Sequence, residues 1–240
     1  MKYSYKKCII DSILLMFIIQ ILRMILNYVL LSQFEFTLEN FNIINLISFT
    51  LVGLSLILFL KDNSLYNKVI NRKITEAFEE NKNNILIEKC KLILFVVVLS
   101  LAIIVTYCTK GYVLFNVTMM TLSVLIVPIF EELFFREYIW NYLSNFIKSK
   151  SKIICITSIL SGIYNIGYID VIRNYVILYN NSSYTFEVII SKIMIGTVFG
   201  IVLGLVKYRF RDVGFCILLR SLFAIFILSL IHISEPTRPY

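Results

Sequence analysis

The chain has 240 residues, of which 59% are hydrophobic and 16% charged, with a formal net charge of +8 and a mean hydropathy of +0.83. Soluble domains carry about a quarter charged residues, and a small soluble fold leaves too much surface wet to hide this apolar excess. The composition therefore excludes the ordinary soluble classes and predicts an integral membrane protein.

Seven apolar runs along the chain are long enough to cross the hydrocarbon core of a bilayer. They cover 8–31, 41–60, 92–108, 113–135, 153–169, 188–206 and 213 onward. The sequence therefore predicts an all-α, polytopic helical membrane protein with about seven transmembrane helices, and with eight in an untruncated protein.

Basic residues are concentrated in every second connection between these runs. The N-terminus and the segments 61–91, 148–152 and 207–211 are basic, whereas 32–40, 109–112 and 170–187 carry at most one Lys or Arg. This alternation follows the positive-inside rule and predicts a cytosolic N-terminus. The net charge of +8 thus reflects membrane topology, and we expect the lipid bilayer, with no nucleic acid, as a partner.

The segment 61–91 is the longest polar stretch and has two interpretations. Apolar residues recur in it at helical spacing with charges between them, at Leu65, Val69, Ile70, Ile74, Ala77 and Phe78. An amphipathic helix lying in the membrane interface fits this pattern. A solvated cytosolic loop containing one helix fits equally well.

Several charged residues fall inside the predicted spans, where charge is costly and tends to mark function. Asp11 and Lys192 lie near span ends, and we expect their side chains to reach the interface. Arg23 is more central, and we expect it to pair with a polar group on another helix that the sequence does not identify.

The most informative stretch is 128–136, Pro-Ile-Phe-Glu-Glu-Leu-Phe-Phe-Arg, at the cytosolic end of the fourth span. Glu132 and Arg136 are four residues apart, so on a helix they share a face. Glu131 points about 100° away, which leaves its carboxylate available for chemistry. Pro128 frees a backbone carbonyl and can kink the helix just before the acidic pair.

This stretch resembles the first motif, E-E-x-x-x-R, of the CAAX-protease and bacteriocin-processing family of intramembrane metalloproteases. The family includes the type II CAAX prenyl endopeptidases and lysostaphin-resistance-like proteins. The resemblance implies a second motif, F-x-x-x-H, on the next helix and a third, H-x-x-x-N, on a later one. It also implies a mechanism in which a glutamate and the second-motif histidine activate a water, while the third-motif pair stabilises the oxyanion.

The remainder of the segment 113–227 follows the layout of that family. A serine-rich helix, 157–165, stands where the second motif belongs. It is followed by a helix with glycines four apart at Gly196, Gly200 and Gly204, a spacing that allows close helix packing. After a basic turn, 213–220 stands at the position of the third motif.

The second and third motifs are altered in this chain. The second-motif Phe and His fall on Ser161 and Asn165, and the third-motif His and Asn fall on Arg220 and Ala224. Asn165 can orient a water but cannot accept its proton, and Arg220 can only donate, for instance to an oxyanion. The candidate catalytic residues are Glu131, Glu132, Arg136, Asn165 and Arg220.

The metal content follows from the resemblance alone, which implies a divalent ion such as zinc without settling its role. Asn165 is a poor zinc ligand. The five cysteines are odd in number and include no C-x-x-C pair, which argues against a zinc knuckle or a disulfide framework: Cys8, Cys90, Cys108, Cys155 and Cys216.

The last residues, 228–240, resemble an in-frame translation of a transposase adapter used in sequencing libraries. We expect this tail to be an artefact, and it contains the single histidine, His232, together with Pro236 and Pro239. The expected organisation is N-terminal transmembrane helices over 1–112, a protease-like core over 113–227, and the artefact over 228–240.

Three functional hypotheses remain at this point. The first is an active intramembrane endopeptidase acting on membrane-embedded or prenylated peptides, with Glu131 as the base. The second is a member of the family with silenced or weakened catalysis that serves in bacteriocin immunity or substrate binding. The third, an unrelated carrier or channel, lacks the paired broken helices expected of one. The missing histidines favour the second hypothesis. We expect the protein to lie in a bacterial plasma membrane.

Overall fold

The computed structural model describes residues 5–62, 85–108, 114–178 and 185–234, and every element in these ranges is helical. Three regular helices come first: α1 (Tyr5–Leu31), α2 (Leu38–Asp62) and α3 (Ile85–Cys108). The segment predicted to be amphipathic, 61–91, lies largely outside the described residues, as does the end of the tail, 235–240.

The fourth span is a single helical rod whose winding changes along its length. Two π-helical stretches alternate with three α-helical ones in the order α4 (Leu114–Met120), π1 (Thr121–Ile126), α5 (Val127–Glu132), π2 (Leu133–Ile139) and α6 (Trp140–Ser144). Pro128 has no N–H for the carbonyl of Val124, four residues earlier. The hydroxyl of Ser221 donates to that carbonyl at 2.6 Å instead.

The fifth span is interrupted close to its far end. Helix α7 (Lys150–Tyr164) tightens into a 3₁₀ turn, Asn165–Tyr168, and then continues as α8 (Ile169–Leu178). Two regular helices complete the chain, α9 (Thr185–Phe210) and α10 (Val213–Ser234).

Six of the described helices are long and apolar enough to cross a membrane, and a shorter apolar helix covers Val213–Ile227. The prediction of a polytopic, all-α membrane protein is confirmed. Large apolar side chains point outward along these helices, as in α3, where Leu92 is 64% and Ile93 63% exposed. Such a surface is stable against lipid tails but not against water. The orientation of the N-terminus stays a prediction.

The chain divides into two compact units. The first comprises residues 1–38 and 131–213, and the second 39–130 and 214–240. In the second, Val98, Val124 and Ile225 form a buried apolar cluster, against which Ala224 packs.

In the first unit, α9 packs closely on α7 through its three glycines. A Cβ added at Gly200 would lie 3.0 Å from the Cα of Ser158, and one at Gly204 would lie 2.9 Å from Ile154. This contact confirms that the four-residue glycine spacing allows close helix packing. The first unit also holds most of the buried charge.

Candidate functional site

The acidic pair ends α5, directly between the two π-helical stretches. Glu131 and Glu132 are 1% and 0% exposed. A π-helical turn displaces the side chains that follow it relative to an α-helix, and such turns are frequent at functional sites. The local winding of the rod therefore decides where each of these two carboxylates points.

Glu132 and Arg136 lie together, as their spacing of four residues predicts. The Nε of Arg136 is 3.5 Å from the Oε2 of Glu132, and both side chains are fully buried. Arg136 also donates through Nη2 to the carbonyl of Gly200 at 2.9 Å. Since a glycine presents no side chain, the guanidinium can approach the backbone of α9. This pair therefore connects the rod to α9.

Glu131 faces a different set of groups. The hydroxyl of Tyr168, in the 3₁₀ turn, donates a hydrogen bond to its Oε1. Lys192 on α9 is near this hydrogen bond, because its Nζ lies 5.7 Å from the centre of the Tyr168 ring. Tyr168 was not among the sequence-predicted site residues. No periodicity indicates it, because it reaches Glu131 only through the turn that follows α7.

Asn165, at the position where the resemblance predicts the second-motif histidine, is turned toward its own helix. Its Nδ2 donates to the carbonyls of Ser161 at 3.0 Å and Gly162 at 3.3 Å. Among the described contacts, those are the only hydrogen bonds of this side chain. The structure thus places Tyr168, and not Asn165, on the carboxylate of Glu131. That Asn165 orients a water stays a prediction.

Arg220 and Ala224, at the third-motif positions, belong to the second unit. Arg220 is half-buried on α10, and Ala224 packs against the Val98 cluster. The role of Arg220 as an oxyanion donor stays a prediction.

Arg23 pairs with Asp170, the partner that the sequence left open. Its Nη2 and Nη1 lie 2.5 and 3.1 Å from the two carboxylate oxygens of Asp170. The sequence predicts Asp170 in the connection after the fifth span, but the apolar helix there runs from Lys150 to Asn174. The charge is tolerated within this helix because Arg23 neutralises it.

The donor groups around the acidic pair decide whether a zinc ion could bind there. Within the described ranges, no three His, Cys, Asp or Glu residues lie close enough together to hold a metal ion. The groups that face the two carboxylates are a phenol, an ammonium and a guanidinium, and the last two are not zinc ligands at neutral pH. The described residues do not fit a zinc site.

Residues 113–226 match the family model described as "Type II CAAX prenyl endopeptidase Rce1-like". No curated protein matches the chain, and no solved structure does.

Proposed function

We propose, from the match of residues 113–226 to the Rce1-like model of type II CAAX prenyl endopeptidases, that the chain is a CAAX-protease-like membrane scaffold with strongly impaired hydrolysis. It would bind a membrane-embedded or prenylated peptide in the bilayer of a bacterial plasma membrane. Any remaining peptide-bond cleavage would depend on Glu131.

The observation that carries the proposal is the environment of Glu131. A general base must offer a lone pair to the water that it activates. Here the hydroxyl of Tyr168 occupies one carboxylate oxygen of Glu131, and Asn165 cannot accept a proton. Removal of a principal catalytic group commonly costs several orders of magnitude in rate. The arrangement therefore supports slow or absent hydrolysis.

The residual reaction has a simple proton balance. A water molecule would attack the carbonyl carbon of the scissile peptide, and Glu131 would take a proton from that water. When the C–N bond of the peptide breaks, Glu131 would pass the same proton to the leaving amine. Glu132 and Arg136 would hold the rod against α9 without touching the substrate. A metal ion has no step in this proposal, since the donor groups around Glu131 do not suit one.

The alternative proposal is a protein without catalysis that acts in bacteriocin immunity or substrate binding. It is favoured by the same contact, because a carboxylate that accepts a hydrogen bond from Tyr168 has a structural use that needs no reaction. The two proposals differ in whether any cleavage depends on Glu131.

A direct test compares the purified protein with Glu131→Gln, which keeps the size of the side chain and removes its basicity. Both are reconstituted in liposomes with prenylated and unmodified membrane peptides, and peptide binding and cleavage are measured together. We expect equal binding and at most a trace of cleavage that disappears in Glu131→Gln. Rapid cleavage by the unmodified protein would contradict impairment.

The alternative is tested by exposing cells that express either the unmodified protein or Glu131→Gln to a bacteriocin and measuring their survival. Protection that persists with Glu131→Gln supports a role without catalysis. Loss of protection in the variant, with normal expression, contradicts that role.

A further inference from the structure

Helix α1 carries a stripe of buried polar side chains, although it lies outside the segment that matches the family. Gln20, Arg23 and Asn27 are 4%, 1% and 1% exposed. Their spacings of three and four residues place them on one face of the helix. Three buried polar groups on one face of a membrane helix are costly unless each has a partner.

These partners belong to the interrupted part of the fifth span. Gln20 donates through Nε2 to the carbonyl of Tyr164 at 3.3 Å, and Arg23 donates through Nη2 to the carbonyl of Gly167 at 2.6 Å. A break in a membrane helix frees carbonyl groups that no water can reach, so the protein itself must satisfy them. Helix α1 supplies the donors for the break at Asn165–Tyr168.

The guanidinium of Arg23 holds this turn on both sides of Tyr168. It bonds to Gly167 before the tyrosine and to Asp170 after it, in a two-pronged contact of 2.5 and 3.1 Å. Its central carbon lies 5.5 Å from the centre of the Tyr168 ring. Asn27 adds a hydrogen bond to Asp170 at 3.3 Å.

We propose that Arg23 is a positioning residue for Glu131, acting through the 3₁₀ turn to hold the Tyr168 hydroxyl on the Glu131 carboxylate. Helix α1 thereby contributes to a site whose acidic residues lie in the family segment. The inference rests on the proposed function only in taking Glu131 as the site carboxylate.

A purely structural role for Arg23 makes a different prediction. If Arg23 only balanced the charge of Asp170, any cation at position 23 would serve, and the Tyr168–Glu131 hydrogen bond would not depend on the shape of the guanidinium. An ammonium cannot form the two-pronged contact with a carboxylate that a guanidinium forms. Arg23→Lys therefore separates charge from positioning.

The test reads the Glu131 hydrogen bond directly by infrared spectroscopy of the full chain in liposomes. Each variant is measured beside its own Glu131→Gln counterpart, and the difference isolates the carboxyl bands of Glu131. We expect Tyr168→Phe to shift these bands through loss of one hydrogen bond. Arg23→Lys and Arg23→Met should shift the Glu131 bands as Tyr168→Phe does. The double variant Arg23→Met/Tyr168→Phe should shift them no further than Tyr168→Phe alone.

Lys207→Met provides the matched control. Lys207 is 5% exposed and forms an ion pair with Glu137 in the same unit, with 2.9 Å between Nζ and Oε2. Its removal should leave the Glu131 bands in place. The inference is overturned if Arg23→Lys retains the bands of the unmodified protein, or if Lys207→Met shifts them as far as Arg23→Met does. Should Arg23→Met fail to fold, Arg23→Lys decides alone.

Failure of this inference and failure of the proposed function are distinguishable. The infrared bands report the hydrogen bond without reference to cleavage. A protein that cleaves peptides rapidly could still show the Arg23 dependence, and an inactive protein could lack it.

Discussion

Asn165 and Tyr168 differ in what they offer to the carboxylate of Glu131. An imidazole can both accept a proton and donate a hydrogen bond, whereas an amide cannot accept the proton. In this chain the amide of Asn165 bonds to its own helix, and the phenol of Tyr168 bonds to Glu131. The carboxylate of Glu131 is therefore held by the phenol of Tyr168 and receives no hydrogen bond from Asn165 among the described contacts.

The pair of Glu132 and Arg136 yields a prediction about stability. Glu132→Leu leaves the fully buried charge of Arg136 uncompensated, so we expect a loss of about 3 kcal/mol in the free energy of unfolding. The double variant Glu132→Leu/Arg136→Met removes both charges and should lose less than the sum of the single variants. Denaturant titration in detergent measures this. Additive losses would contradict a direct interaction.

Gly200 gives a second prediction about stability. Gly200→Ala would place a Cβ 3.0 Å from the Cα of Ser158 and 3.3 Å from Nη2 of Arg136. Overpacking of this kind costs about 1–3 kcal/mol, although alanine gains about 1 kcal/mol in helix propensity. We expect a net loss of about 1 kcal/mol, seen as a lower Tm.

Gly53→Ala is the control for Gly200→Ala. The three atoms nearest to its added Cβ all belong to the ring of Phe130, the first at 3.2 Å, and a side chain can move aside more easily than a helix backbone. We expect no loss of Tm. An equal loss at both positions would show that the close approach of α9 to α7 is not the cause.

Among the elements, the interrupted fifth span places Tyr168 at the site. In an uninterrupted α-helix from α7 into α8, the direction of the Tyr168 side chain would follow the α-helical rotation of about 3.6 residues per turn. The 3₁₀ turn changes both this rotation and the rise per residue, so Tyr168 points in a different direction. Donors from α1 satisfy the carbonyls of Tyr164 and Gly167. The position of Tyr168 is therefore a property of two elements together.

The ion pair of Lys207 and Glu137 connects α9 to the π2 stretch, and its contribution can be compared with a pair inside one helix. Lys207 is 5% and Glu137 23% exposed. Loss of one partner costs about 3–5 kcal/mol in a fully buried pair and under about 1 kcal/mol in an exposed one. We expect Lys207→Met to cost about 2 kcal/mol in unfolding free energy.

The comparison uses Lys91→Met on α3. Lys91 and Glu88 are 30% and 63% exposed and lie 3.1 Å apart, so solvent screens their attraction. Lys91→Met should change the unfolding free energy by less than about 0.5 kcal/mol. If Lys91→Met lost as much unfolding free energy as Lys207→Met, the ion pair of Lys207 and Glu137 would not stabilise the contact between π2 and α9 more than an exposed pair does.

For the whole molecule, the alternation of basic connections predicts the orientation in the membrane. Gln33 lies in a connection without Lys or Arg, and Lys148 lies in a basic one. In a background without native cysteines, Gln33→Cys should react with an impermeant maleimide in intact cells. Lys148→Cys should react only after permeabilisation. The reverse labelling would overturn the cytosolic placement of the N-terminus.

Local patterns predicted much of the fold and one part of the site. The spans can be predicted because about twenty apolar residues in succession are stable in a bilayer as a transmembrane helix. Glu132 and Arg136 were predicted together because a helix brings residues four apart onto one face. Pro128 was expected to free a carbonyl, and the Val124 carbonyl accepts from Ser221.

The end of the fifth span could not be predicted by the same means. Asp170 interrupts the apolar run, so hydropathy alone ends the span at 169. In the structure Arg23 neutralises that carboxylate across 147 residues of sequence, and the apolar helix continues to Asn174. The energy of a buried charge depends on its partner, and a local window does not contain the partner.

The amino-acid sequence alone reveals the class of protein, the apolar spans, the acidic motif and the absence of histidine before the tail, because each depends on composition or on neighbours along one helix. The surroundings of Glu131 become visible only in the folded molecule. Tyr168, Lys192 and Arg23 come from three other helical segments, and their distances depend on the 3₁₀ turn and on the packing of α1 and α9. Contacts between distant segments arise only when the helices assemble, so no periodicity in the chain encodes them.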